Sequence, residues 1–134
     1  MVYLICGAPC SGKTTYALQH RKCDDLIVDV DRIYSALSGD DEHGNELYIH
    51  KVAKKLTFSL YEIVRTRSGD WNDAYVISLA ATPEEIDEAR SLVDADEVIV
   101  MDTPYDICME RSKDRPIYFK QIIHEWFETR ERTV

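Results

Sequence analysis

The chain has 134 residues, 45% of them hydrophobic and 31% charged, with five glycines and four prolines. That fits one globular domain over residues 1–134, is too short for two independent ones, and excludes a fibrous or disordered architecture. Sixteen basic against 25 acidic residues leave a net charge of −9, which repels polyphosphate backbones and disfavours an extended nucleic-acid-binding face.

The opening Met1-Val2-Tyr3-Leu4-Ile5-Cys6 is apolar but meets glycine after six residues, without a basic leader or a small-residue cleavage site. No signal peptide is expected. No run approaches the roughly 18 apolar residues that would cross a bilayer, so a cytoplasmic protein without membrane association is the expectation. Residues 2–6 read as a buried parallel strand feeding a tight loop, and from Lys13 a helix runs to about His20. A second strand is expected over 26–30, with Asp29 and Asp31 at its carboxyl end, followed by a helix to Leu37 with Ile33, Ala36 and Leu37 at core spacing.

Residues 38–45 are polar, acidic and carry Gly39 and Gly44, which predicts a loop. Beyond it Tyr48, Val52, Leu56, Leu60, Ile63 and Val64 recur at helical spacing, giving one long helix up to the Ser68-Gly69-Asp70 break. A third strand is expected over 74–80. Thr82-Pro83-Glu84-Glu85 then starts a helix with a capping threonine, a first-turn proline and acids beside the positive end of the dipole. The fourth strand covers 97–101, Asp102-Thr103-Pro104 turns into a helix reaching about Ser112, and residues 117–131 read as a terminal amphipathic helix with Ile122, Ile123, Trp126 and Phe127 on its apolar face. Strands alternating with helices call for an α/β fold: a parallel sheet of four strands, or five, covered on both faces.

Gly7-Ala8-Pro9-Cys10-Ser11-Gly12-Lys13-Thr14 has the form G-x-x-x-x-G-K-T of a phosphate-binding loop, the Walker A pattern. Its glycines let the backbone bend with N–H groups turned inward, and the following helix offers the phosphates its positive end. Lys13 would reach the outer phosphates and the Thr14 hydroxyl would coordinate Mg²⁺. Such a pattern arises in roughly one random chain of this length in two hundred, so position carries weight. Here it falls between the first strand and the first helix, where the mechanism needs it. The chain is too short for a large motor and has no N-K-x-D segment to read guanine, which leaves an ATP-dependent kinase.

Four segments resemble the small P-loop kinases of the polynucleotide kinase type, including stand-alone phage ATP-binding proteins. The first is Gly7 through Thr15, similar to G-x-P-x-S-G-K-[ST]-[ST] with Pro9 in third position. The second is Val28-Asp29-Val30-Asp31-Arg32-Ile33-Tyr34. The resemblance implies that Asp31 takes the proton of an acceptor hydroxyl, with Asp29 behind it as orienter or partner of a metal-bound water. The third is the Asp102-Thr103-Pro104 turn, and the fourth is Arg111-Ser112-Lys113-Asp114-Arg115, similar to the R-x-x-x-R of a lid. By resemblance Arg111 lies against adenine and Arg115 reaches the transferring phosphoryl group, tasks that a planar guanidinium fork suits. A kinase-like strand order 2-3-1-4 is implied in the same way.

Two departures bear on the acceptor. Tyr34 stands where the family often has an arginine that holds an acceptor phosphate. The third strand ends Ile77-Ser78-Leu79-Ala80, without an acidic residue; Ser78 reads as a small core residue or a contact to acceptor or metal-bound water. Plainer roles compete elsewhere: Asp31 and Asp102 as helix caps, Arg111 and Arg115 as charges answering a helix dipole, Arg90 as a surface residue rather than a phosphate ligand. Lys51, Lys54, Lys55, Arg65 and Arg67 form either a solvated helix face or a local basic surface. Cys6, Cys10, Cys23 and Cys108 lack metal-ligand spacing and read as reduced thiols, while His20, His43, His50 and His124 have no ligand spacing. The expected reaction is transfer of the γ-phosphoryl group of ATP to a hydroxyl, best the 5′-hydroxyl of a nucleoside, nucleotide or short polynucleotide. The alternatives are a kinase for another small metabolite and a non-catalytic ATP-binding regulatory protein.

Overall fold

The computed structural model describes residues 1–40 and 44–132. Its strands are β1 (Val2–Cys6), β2 (Leu26–Val28), β3 (Ala74–Ser78) and β4 (Glu97–Val100), and its helices are α1 (Lys13–His20), α2 (Val30–Ser38), α3 (Leu47–Arg65), α4 (Pro83–Val93), α5 (Tyr105–Arg111) and α6 (Tyr118–Arg132). A single 3₁₀ turn, Ser112–Asp114, follows α5. The strands form one parallel sheet in the order β2-β3-β1-β4, as expected, with four strands and no fifth among the described residues. Leu4 lies opposite Val76 on one side and Val98 on the other.

Alternation along β1 divides the interior in two. Val2, Leu4 and Cys6 join Val76, Val64 of α3 and Val93 of α4 in one core, while Ile5 faces the opposite way and packs with Tyr75 and Ala17 of α1. Side chains of a strand point alternately to the two faces, so a strand buried on both needs an unbroken apolar run. That is what 2–6 supplies. Each such side chain removed from water contributes about 1.5–3 kcal/mol. A third cluster joins Ala8 of the glycine-rich loop to Cys108 of α5 and to Ile123 and Trp126 of α6.

Several predicted boundaries move for local reasons. The second strand stops at Val28 because Asp29 caps α2, its side chain accepting from the Asp31 N–H at 3.0 Å. Asp31 is therefore inside the helix and is not its cap. β3 ends at Ser78, whose hydroxyl accepts from the Ala80 N–H at 3.1 Å and turns the chain. β4 ends at Val100, and α5 is capped by Pro104, so Asp102 caps nothing; it pairs instead with Arg130 of α6 at 3.1 Å. The start of α4 is as predicted: Thr82 and Glu85 exchange two hydrogen bonds of 3.1 and 3.2 Å, a capping box worth about 1 kcal/mol.

Two helices present other faces than the periodicity suggested. α2 buries Tyr34, while Ala36 and Leu37 are exposed. On α3 the buried positions are Ala53, Thr57 and Val64, and Tyr48, Val52, Leu56 and Ile63 face solvent. Lys51, Lys54 and Lys55 are exposed on the same helix, whereas Arg67 lies beyond it and ties the chain together by donating to the carbonyls of Val64, Val93 and Asp94. No helix among the described residues is long and apolar enough to cross a membrane.

Candidate active site

Because the sheet is parallel, the carboxyl ends of its strands gather Gly7, Asp29, Ser78 and Met101 along one edge, the edge where α/β folds bind their ligands. The loop from Gly7 to Gly12 bends through two left-handed residues, Cys10 at φ 65° and Gly12 at φ 101°. Gly12 adopts that conformation freely; Cys10 does so at a cost of about 1 kcal/mol. The strain is repaid in shape, since alternating backbone handedness turns successive N–H groups into one concavity for an anion. Gly7 is required sterically: a Cβ there would meet the Ser11 hydroxyl at 2.6 Å and the Met101 Cβ at 3.0 Å.

Lys13 opens α1 and is 7% exposed. Its ammonium donates to the carbonyls of Gly7 and Ala8, both at 2.7 Å, so it bridges the start of its own loop. Burial pushes its pKa down to about 8, with Asp29 and then Asp31 pulling the other way. A buried cation held mainly by carbonyl oxygens is one that a phosphate would satisfy far better.

Thr14 and the end of β2 are joined through one carboxylate. The Thr14 hydroxyl donates to Asp29 Oδ2 at 2.9 Å, while Asp29 Oδ1 accepts from the Asp31 N–H. Asp29 is buried, Asp31 half-buried. This pair fits the Mg²⁺ site that the Walker A pattern implies: a hydroxyl and an anionic oxygen side by side, hard ligands of the kind a small divalent cation takes. It also supplies the acid missing from the end of β3. Ser78 is committed locally, to the Ala80 N–H and to the Cys6 thiol, whose pKa burial raises to about 11.

On the far side of the loop a cavity of about 370 Å³ is walled by Cys10, Gly12, Thr15, Tyr16, Arg111 and Arg115, among others. Arg111 donates to the Cys10 carbonyl at 3.2 Å, and its guanidinium would lie 3.6 Å from a Cβ at Gly12. Arg115 rests over the Phe119 ring, 5.4 Å from its centroid. Burial raises the Cys10 thiol against the pull of Arg115, Lys13 and Arg111. Arg111 and Arg115 thus both lie near Cys10 and line the same cavity. Pro9 and Ala8 are both buried, Ala8 against Cys108 of α5 and Ile123 and Trp126 of α6.

The residues read more plainly from the sequence stay out of the site, Arg90 and Trp126 as expected. Arg90 donates to the Ala95 carbonyl at 3.3 Å, near the amino ends of the strands and away from the site. Tyr34 is wholly buried; its hydroxyl accepts from the Glu46 N–H at 3.1 Å and its ring meets His50. Trp126 is core, its indole N–H donating to the Leu79 carbonyl at 2.8 Å. His43 lies outside the described residues. Sequence reasoning missed Tyr16 and Gln19 as cavity walls, although their spacing from Gly12 and Thr15 puts all four on one face of α1. Asp29 was expected behind Asp31, and it does lie there, but its hydrogen bond to Thr14 was not foreseen.

A strand–loop–helix of this geometry, in a 2-3-1-4 parallel sheet, defines a P-loop kinase-like domain. The chain belongs to the family described as AAA domain, whose model matches residues 2–122. Among solved structures it is similar to a shikimate kinase from Acinetobacter baumannii in complex with shikimate, at 14% identity and a TM-score of 0.55, over 98% of this chain and 76% of that one. That likeness bears on the fold. No curated protein matches the chain.

Proposed function

We propose that this domain transfers the γ-phosphoryl group of ATP to a hydroxyl of a small acceptor. The observation that supports the reading is the Thr14–Asp29–Asp31 connection: Asp29 accepts from both the Thr14 hydroxyl and the Asp31 N–H, which keeps the residue proposed to remove the proton next to those that would hold the phosphates and the metal. The N–H groups of the loop and the start of α1, with Lys13, would bind and orient the triphosphate. Thr14, backed by Asp29, would hold Mg²⁺, which supplies charge neutralisation at the phosphate oxygens. Asp31 takes the acceptor's proton as its oxygen attacks phosphorus and ADP leaves. Arg111 and Arg115 border the cavity proposed for the nucleoside, and Arg115 would reach from there to the transferred group.

The burial of Tyr34 favours an acceptor without a phosphate at that position. Where the resemblance leads one to expect an arginine, the side chain faces the protein interior and holds Glu46. A nucleoside 5′-hydroxyl satisfies this, as does the hydroxyl of another small metabolite. The likeness to a kinase whose structure carries shikimate supports the small-molecule class.

Transfer from γ-labelled ATP to a panel of nucleosides, 5′-hydroxyl oligonucleotides and hydroxylated metabolites tests the reading. At least one small acceptor should become labelled, and Asp31→Asn should lower kcat by about 10²–10⁴-fold while ATP affinity is kept. Label appearing only in the oligonucleotides would overturn the acceptor assignment. ATP binding with no acceptor labelled would point to a regulatory ATP-binding protein instead.

A further inference from the structure

We infer that Thr103 is a positioning residue for the phosphate-binding loop: its hydroxyl sets the peptide plane that presents the Gly12 N–H to the nucleotide. The inference rests on the nucleotide-binding reading above and extends it to a residue outside the Gly7–Thr14 motif.

The Thr103 hydroxyl donates to the Ser11 carbonyl at 2.7 Å, across 92 residues of sequence. The carbonyl of one residue and the N–H of the next lie on opposite edges of a planar trans peptide, so fixing one aims the other. With the Ser11 carbonyl turned toward the segment after β4, the Gly12 N–H is turned away from it. Gly12 is at φ 101°, in a region where glycine finds several orientations nearly equal in energy. Nothing intrinsic to that residue selects one of them. The Ser11 N–H is already committed, donating to the Ala8 carbonyl at 3.1 Å, whereas among the described residues no backbone carbonyl takes the Gly12 N–H.

The surroundings of Thr103 favour an oriented role over a general packing one. The same segment touches the loop at two further points: Met101 backs Gly7 and lies 3.5 Å from a Cβ at Gly12. Those contacts are steric and leave the peptide free to rotate. Thr103 contributes the polar, directional contact, and its hydroxyl is the one group that a valine of the same shape would remove. Arg111 plays a weaker counterpart role one residue earlier, on the Cys10 carbonyl, at 3.2 Å.

Equilibrium dialysis of labelled Mg·ATP and of labelled adenosine, with native protein, Thr103→Val and Thr103→Ser, separates the possibilities. Thr103→Val should weaken Mg·ATP by roughly tenfold, the worth of one well-oriented hydrogen bond. Thr103 also borders the cavity beside Arg111, but adenosine has no phosphate to meet the Gly12 N–H, so its affinity should fall much less than that of ATP, and Thr103→Ser should restore ATP binding. Equal losses for ATP and adenosine would assign Thr103 to the nucleoside cavity and overturn the inference. Unchanged ATP binding in Thr103→Val would overturn it while leaving the nucleotide reading intact. No ATP binding by the native protein would remove both. A melting temperature for each variant, within a few degrees of native, certifies that the valine protein is folded.

Discussion

The end proposed to bind the phosphate donor and the end proposed to face the acceptor are built on different principles. Around Gly7–Thr14 the work is done by backbone: left-handed turns at Cys10 and Gly12, a helix N-terminus, and side chains from Thr103 and Arg111 that hold carbonyls in place. At α2 and α3 it is done by side chains, with the buried Tyr34 pinning the chain at Glu46 and leaving no room for more than a glycine at position 44, where a Cβ would lie 2.7 Å from the Tyr34 hydroxyl. A backbone site recognises what all nucleoside triphosphates share. A side-chain site can be refitted residue by residue without disturbing it, so under the proposed function the first end would set the chemistry and the second the acceptor.

That contrast can be broken most severely at Lys13. Lys13→Met should lower kcat/KM at least about 100-fold, because it removes a cation aimed at the transferring phosphates, while leaving the fold intact. Steady-state kinetics alongside a melting curve check this. A smaller effect comes from pH. Lys13 is pushed down to about 8 in the free protein, and a bound triphosphate would hold it protonated. ATP affinity should thus be flat below about pH 7 and fall above 8, toward a limit of about tenfold per unit, as each binding event must then take up a proton. Calorimetry in buffers of different ionisation enthalpy would detect that proton, and affinity that rises above pH 8 would contradict the account.

The junction between the ends is Asp29. Asp29→Ala should cost about 1–2 kcal/mol of stability by removing the α2 cap, and Asp29→Asn, which caps as well, should restore it. Only the alanine variant should melt earlier, while both should weaken Mg²⁺ dependence. At the acceptor end Tyr34→Phe should cost about 1 kcal/mol and leave ATP affinity unchanged. A loss of ATP affinity there would show that the two ends are not separable.

How much was legible follows the same division. The loop, its strand and its helix could be read directly because glycine, lysine and threonine at fixed spacing are demanded by backbone geometry that few other residues satisfy. The Thr82 cap was legible for that reason too. The buried faces of α2 and α3 were legible only in part, because apolar residues lie around more than one side of each helix: of the positions periodicity marked on α3, Val64 is buried and Leu60 packs against the core, while Tyr48, Val52, Leu56 and Ile63 are exposed and the unmarked Ala53 and Thr57 are buried. Close packing between elements favours small side chains such as Ala53 and Thr57, which a hydrophobicity pattern underweights. Asp29 and Asp31 were recognised as a pair, but which of them caps α2 depends on a single backbone boundary, and boundaries are what local sequence defines least. Thr103 was visible only as part of a turn, since its partner lies far away in sequence.

The account stands on the triphosphate being seated in the loop between β1 and α1. A calorimetric titration of the native protein with Mg·ATP, repeated with Lys13→Met, examines that seat directly. One saturable site in the native protein and its loss in the variant are predicted; no heat with the native protein, or the same heat with both, would contradict it.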